Sequence, residues 1–188
     1  MSLKHPSVMV EAPERWVARG LRNVTSAAIH LDRTPAEPVG GPGWYLQRPG
    51  FAWGGMGVAA CWYGGARGLY RTLRERAGTS DIVAMHVGAA DVALHAAGAT
   101  LASAAEAIDA GHAAGRDGAL LALRVRSVVA EVAEQVVQHV GHALGPAPLA
   151  FDEWHARRVA DLELYVRQHH AEYDLASLGS QLLGGDQA

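Results

Sequence analysis

The segment that decides the fold is residues 117–143, which read DGALLALRVRSVVAEVAEQVVQHVGHA. Its apolar residues recur every three or four positions, and they are Leu121, Val125, Val128, Val132, Val136 and Val140. A repeat with this period places its members on one face of an α-helix. The segment therefore predicts a helix over about 117–143 whose apolar face packs into a core.

Three further helical segments flank this one. One covers about 55–77, and the next starts after Thr79 or Ser80, either of which can cap a helix, and ends at Gly111. The last is predicted as a single helix after residue 148, and its repeat comprises Asp152, His155, Val159, Leu162, Val166, His169 and Tyr173. Long helices with short breakers are typical of antiparallel neighbours. We therefore expect a mainly α fold, a four-helix up-and-down bundle over 55–188.

The first 54 residues have a different character. Residues 26–31 read SAAIHL, a β-type run, and the stretch that follows is dense in proline and glycine up to Gly43. Glycines permit positive φ and prolines block helices, so this stretch predicts loops. We expect residues 1–54 to form a short strand-and-loop segment ahead of the bundle.

Composition limits the possible partners. Apolar residues make up 49% of the chain and charged residues 19%, which suits a globular protein with a real core. The net charge of −3 and the scattered arginines offer no basic surface for nucleic acid. A single cysteine, Cys61, cannot form an internal disulfide, and this fits a reducing compartment.

The termini and the most apolar run bear on localisation. The first residues, MSLKHPSVM, lack the long apolar stretch of a secretory signal, so a cytoplasmic protein is expected. The apolar run from Ala84 to Ala105 is interrupted by His86, Asp91 and His95. These interruptions favour a closely packed helix over a membrane span.

Four segments resemble parts of one protein family. They are VGGPGWYLQRPGFAWGG at 39–55, YRTLRER at 70–76, VQHVGHALG at 137–145 and RRVADLELY at 157–165. In this order, and over residues 15–180, the chain is similar to acyl-CoA dehydrogenases. The likeness covers the C-terminal helical bundle of a divergent branch and a remnant of the middle β domain before it.

This resemblance implies a flavoprotein that oxidises the CH–CH bond of an acyl-CoA thioester with FAD. In the family, an arginine after the first bundle helix and a Gln–Gly segment contact the FAD of the neighbouring subunit. By resemblance, Arg74 or Arg76, Gln138 and Gly141 take these cofactor-binding roles. A guanidinium matches phosphate oxygens, and a glycine lets the backbone approach a cofactor closely. The alternative for each is an ordinary surface residue.

The chain departs from the family at the catalytic base. Most members place a glutamate eight residues after the aspartate that matches Asp161, and here that position is His169. His169 and Glu172, one turn further, are the catalytic candidates because a histidine can accept a proton near neutral pH. The alternative is that His169 is a hydrogen-bonded core residue. By resemblance, such a departure also fits branches that use flavin for oxygenation.

The family's other domains cannot be built from residues 1–54, so a complete flavin site would require a separate chain that supplies them. A rival, non-catalytic interpretation is a homo-oligomerising bundle that acts as an interaction subunit or degenerate homologue. Its expected contact residues are Trp44, Trp53, Trp62 and Tyr63. No metal site is expected, because a di-iron bundle needs paired Glu-x-x-His motifs and the sequence has none. No nucleic acid or membrane partner is expected either.

Overall fold

The computed structural model describes residues 2–12, 17–24 and 26–184. Residues 1, 13–16, 25 and 185–188, which belong to the predicted segments 1–54 and 55–188, lie outside the described residues. Within the described part, 69% helix and a two-stranded sheet confirm the mainly α prediction. The helices are α1 (Trp44–Gln47), α2 (Pro49–Arg76), α3 (Asp81–Asp109), α4 (Gly115–Leu144), α5 (Ala147–Phe151), α6 (Glu153–Val166) and α7 (Glu172–Gly184).

The two strands form a small antiparallel sheet ahead of the helices. Strand β1 is Val8–Val10 and strand β2 is Ile29–Leu31, with Met9 opposite His30. The strand predicted at 26–31 is therefore confirmed only over its last three residues. Both strands are mostly exposed, so this sheet adds little to the core.

Helix α2 starts earlier than the sequence indicated. It begins at Pro49 instead of about residue 55, because a proline at the first helical position costs no hydrogen bond and has the right φ. It contacts α3, α4 and α6. Its largest fully buried side chains are Trp62, Leu69 and Leu73.

Helices α3 and α4 lie close to their predicted bounds. Ser80, one of the two predicted caps, accepts a 3.2 Å hydrogen bond from the Val83 amide. On α4, the predicted stripe is largely correct, since Val125, Val132, Val136 and Val140 are buried. Val128 is instead 38% exposed, and the neighbouring Val129 is buried in its place.

The prediction of one long helix after residue 148 is wrong. Asp152 caps α6 by accepting a 3.1 Å hydrogen bond from the His155 amide, which separates α5 from α6. Ala171 has a φ of 46°, and a left-handed residue cannot continue an α-helix, so α6 and α7 are separate. The turn between them carries His169 and His170. The arrangement of the helices as a four-helix up-and-down bundle stays a prediction.

The segment at 17–24 lies against α6. The Leu21 amide donates a 2.5 Å hydrogen bond to Asp161 Oδ1. A Cβ at Gly20 would overlap the carbonyl group of Ala160, so only glycine fits this approach. This contact ties the strand-and-loop part to the helices.

Helix α3 is long and rich in apolar residues. By length and composition this helix could cross a membrane. Its most apolar 18-residue window has a mean hydropathy of 1.4, and 22% of that window is buried in the structure. The same test is passed by helices of water-soluble proteins, so it is weak evidence. The cytoplasmic expectation therefore stays a prediction.

Candidate functional site

Two depressions on the surface are lined by side chains that could bind a ligand or take part in a reaction. The first, called here the arginine groove, runs between α2 and α3 and has a volume of about 750 Å³. Arg67, Arg71 and Arg74 line it from α2. Because these positions are four and three residues apart, they share one face of the helix. His95 of α3 also lines this groove.

Glycines and tyrosines form the rest of this groove. A Cβ at Gly64 or at Gly68 would meet no atom within 4 Å, so the backbone there is open to a ligand. The Arg74 guanidinium carbon lies 5.9 Å from the centre of the Tyr70 ring. Tyr70 donates a 2.7 Å hydrogen bond to Asp91, and burial followed by this bond raises the pKa of Tyr70. The groove therefore holds three guanidinium groups together with the carboxylates of Asp91 and Glu75, and Asp91 already accepts the hydrogen bond of Tyr70.

The structure separates the two arginines proposed for cofactor binding. Arg74 lines the arginine groove, whereas Arg76 makes a 2.5 Å ion pair with Asp152. The His155 amide and then Arg76 lower the pKa of Asp152. Arg76 is thus engaged at the start of α6, and Arg74 is the better placed of the two for a ligand.

Gln138 and Gly141 lie elsewhere, on the second half of α4. Gln138 is exposed and lines a small depression together with Glu163 and Arg167 of the α6 region. A Cβ at Gly141 would meet no atom within 4 Å, so its backbone is accessible. Neither residue lines the arginine groove.

The second depression, called here the acyl cleft, has a volume of about 940 Å³. It lies between the start of α2, the first half of α4, and α7. Its lining includes the apolar residues Tyr45, Leu46, Phe51, Ala52, Val58, Ala119, Ala122 and Leu123. Clefts of this size with mostly apolar walls and a few polar groups are typical of ligand sites.

His169, the predicted base, does not line the acyl cleft. Its Nε2 lies 3.2 Å from the Ser127 hydroxyl oxygen, and its ring centre is 6.4 Å from that of Trp62. Burial lowers the pKa of His169, although the nearby Asp174 carboxylate acts in the opposite direction. The structure thus places this side chain beside the core. Glu172, the other predicted catalytic residue, is exposed and also absent from the cleft lining.

Asp174 and His170 line the cleft where His169 does not. Asp174 accepts a 3.3 Å hydrogen bond from the His170 amide, and His170 Nδ1 lies 3.3 Å from its other oxygen. The Asp174 side chain is only 15% exposed. Sequence reasoning missed this pair because it counted from Asp161 along a continuous helix. The i, i+4 spacing of a histidine and an aspartate was the available signal.

Arg126 supports the cleft from α4. It donates hydrogen bonds to the carbonyl oxygens of Gly55 (3.2 Å) and Gln168 (2.6 Å). Its guanidinium carbon lies 4.9 Å from the centre of the Trp62 ring, and burial lowers its pKa. Arg126 therefore joins the start of α2 to the α6–α7 turn.

The aromatic residues expected at an interaction surface divide into two groups. Trp44 and Trp53 are 44% and 38% exposed, but Trp62 is fully buried, so the expectation for Trp62 is wrong. Trp53 donates a 2.6 Å hydrogen bond to the Ala113 carbonyl. Tyr63 is half-buried and lines the arginine groove.

In the part of the chain that the structure describes, no group of three or more His, Cys, Asp or Glu side chains converges as placed to hold a metal ion. Comparison with models of known families finds no family that matches this chain, and comparison with curated proteins finds no significant relative.

Proposed function

We propose that this chain is the C-terminal helical part of an acyl-CoA dehydrogenase-like flavoprotein, with residues 1–54 as a remnant of the middle β domain. In this proposal 55–188 form a four-helix up-and-down bundle. The activity is oxidation of the CH–CH bond of an acyl-CoA thioester with FAD, in the cytoplasm. The observation that carries the proposal is the arginine groove.

The arginine groove suits the pyrophosphate of a dinucleotide. The pyrophosphate carries negative charge on several oxygens, and Arg67, Arg71 and Arg74 present three guanidinium groups along one helix face. Gly64 and Gly68 leave the backbone open beside them. Hydrogen bonds to charged groups contribute about 1.5–3 kcal/mol each, so three arginines can hold such a ligand. The residues present therefore fit the anionic part of FAD.

The acyl cleft suits the substrate of the same reaction. Its apolar wall matches an acyl chain, and Asp174 is the carboxylate on its lining. In this proposal Asp174 accepts the α-proton, and His170 holds the Asp174 carboxylate in place through its amide and its Nδ1, each 3.3 Å from a carboxylate oxygen. FAD, when bound, supplies the acceptor for the hydride. Arg48 also lines the cleft, and its Nε is buried without a hydrogen-bond partner among the described residues.

A homo-oligomer, with or without a separate chain that supplies the missing domains, is the assembly we propose. Helix α3 supports it, because Ile82, Met85 and Val92 are 67%, 52% and 70% exposed on one element. The same observation favours the alternative function, a non-catalytic oligomerising subunit. The two functions differ in whether the arginine groove binds an anionic ligand.

Calorimetric titration of the purified chain with ADP, which carries the pyrophosphate–adenosine half of FAD, tests the proposal. We expect saturable binding that weakens with added salt, because the contacts are between opposite charges. Arg71→Ala and Arg74→Ala should each weaken binding by roughly tenfold or more, the equivalent of about 1.4 kcal/mol.

The matched control is Arg124→Ala, since Arg124 is an exposed arginine of α4 that lines neither the arginine groove nor the acyl cleft. This variant should bind ADP like the parent protein. If ADP fails to bind, or if Arg124→Ala weakens binding as much as Arg74→Ala, the groove is not a dinucleotide site. The oligomerising function then becomes the better description.

A further inference from the structure

Three histidines meet where α3 packs against the end of α4. His86 of α3 and His139 of α4 have their Nδ1 atoms 3.0 Å apart. The ring centre of His86 lies 5.2 Å from that of His139 and 5.7 Å from that of His142. None of the three lines the arginine groove or the acyl cleft, so the proposed flavoprotein function does not use them.

The separations between these rings match those of imidazoles that share a metal ion. Imidazole nitrogens lie about 2.0–2.1 Å from zinc, which puts each ring centre about 3.2 Å from the ion. At a tetrahedral angle, two such ring centres are about 5.2 Å apart. The observed values of 5.2 and 5.7 Å are close to this distance. His139 and His142 are three residues apart, so both can face the same point from one helix.

The environment keeps at least one of these rings able to donate a lone pair. His86 is 8% exposed and His139 is half-buried. Burial, then the charges of His86 and His142, lowers the pKa of His139. Two Nδ1 atoms in contact also require at least one ring to be neutral there, whichever tautomer is present. Neutral imidazole is the form that binds metals.

Two adjustments turn the cluster into a three-nitrogen site. The His86–His139 nitrogen separation must widen from 3.0 Å to about 3.3 Å, the value for two ligands of tetrahedral zinc. His142 must turn a ring nitrogen toward the other two. It is exposed in the last turn of α4, where changing between staggered rotamers meets little resistance.

From this geometry we infer that His86, His139 and His142 form a site for a divalent transition-metal ion that prefers imidazole, such as Zn²⁺. Three protein nitrogens leave one position for water or an anionic ligand. The ion joins α3 to α4. It stabilises the folded chain because it binds the folded form and not the unfolded form. This site could not be found from sequence patterns, because His86 and His139 are 53 residues apart and on different helices.

The test is calorimetric titration of the tag-free chain with Zn²⁺ at neutral pH in a buffer that does not bind zinc. We expect one Zn²⁺ per chain and a higher Tm in its presence. His142→Ala should weaken binding by roughly tenfold or more. Because His142 is exposed, this variant should fold normally and provides the deciding comparison. His139→Ala should weaken binding at least as much.

The matched control is His112→Ala, because His112 is an exposed histidine in the turn between α3 and α4. It should bind zinc as the parent chain does. The inference is overturned if zinc produces neither binding heat nor a change in Tm. It is equally overturned if His142→Ala and His139→Ala retain the parent affinity, since the ion would then bind elsewhere.

Discussion

Helices α3 and α4 are nearly equal in length, at 29 and 30 residues, yet they are buried very differently. Helix α3 is apolar enough to resemble a membrane span, but only five of its residues are buried. Helix α4 carries more charged residues and has ten buried residues. The difference teaches that the spacing of apolar residues, more than their number, determines which helix becomes central to the core.

Two features explain this difference. The buried valines of α4 recur three and four residues apart and form one stripe, and α4 as a whole contacts α2, α3, α6 and α7. Three of the five buried residues of α3 are alanines, Ala90, Ala97 and Ala104, and several of its larger apolar side chains are exposed, namely Ile82, Met85 and Val92. Each alanine buries little area, so α3 gains less from packing.

The largest expected effect comes from placing a charge in the stripe of α4. Val136→Asp should reduce the free energy of unfolding by about 3–5 kcal/mol, because Val136 is fully buried in the apolar core and the new carboxylate would lose its hydration there. Urea denaturation followed by circular dichroism measures this loss.

The matched change on α3 is Val92→Asp, at a residue that is 70% exposed. It should change stability by about 0.5 kcal/mol or less. A loss at Val92 as large as that at Val136 would contradict the comparison. It would mean that α3 is covered in solution, and sedimentation at several protein concentrations would then reveal the oligomer.

A smaller effect is expected at the start of α3. Ser80→Ala should cost about 1 kcal/mol, because it removes the hydroxyl that accepts the Val83 amide hydrogen bond. Thr79→Ala is the control, since Thr79 lies outside this cap and should have little effect. Equal losses for the two variants in urea denaturation would show that α3 starts at a different residue.

The smallest effect concerns pH at the contact between α3 and α4. Burial lowers the pKa of His139 below its ordinary value of 6.5, so the unfolded chain binds this proton more readily than the folded chain. With a chelator present, stability should be complete above about pH 6.5 and should fall as the pH decreases from there toward the lowered pKa.

The variant that tests this effect is His139→Gln. In this variant the urea midpoint should change less with pH between about pH 7 and pH 5.5 than in the parent chain. Some slope will remain, because burial also lowers the pKa values of His155 and His169. An unchanged slope in His139→Gln would show that this residue is not protected from protons in the folded chain.

Much of the fold was predictable because it depends on local signals. The valine period identified α4, and the pair Thr79–Ser80 located the start of α3 to within a residue. The break at Ala171 was not predictable, since alanine ordinarily favours helix and rarely adopts the left-handed conformation that it has here. The burial of Val129 in place of Val128 was not predictable either, because it depends on how α4 is rotated against its neighbours.

The candidate site was less predictable than the fold. Arg74 was identified, and the structure adds Arg67 and Arg71 on the same helix face. Asp174 was missed because the turn before it changes which residues face the acyl cleft. Sites assembled from several helices depend on distances between elements, and a periodic pattern along one element contains no such information.

The hydrogen bond between Leu21 and Asp161 has a consequence for how the chain folds. It joins residues that are 140 positions apart, so forming it early would require closing a very long loop. The helices gain many contacts between near neighbours before this one becomes favourable. The segment around Gly20 should therefore dock late, after α6 has taken its place, and should be the first part to detach when the protein begins to unfold.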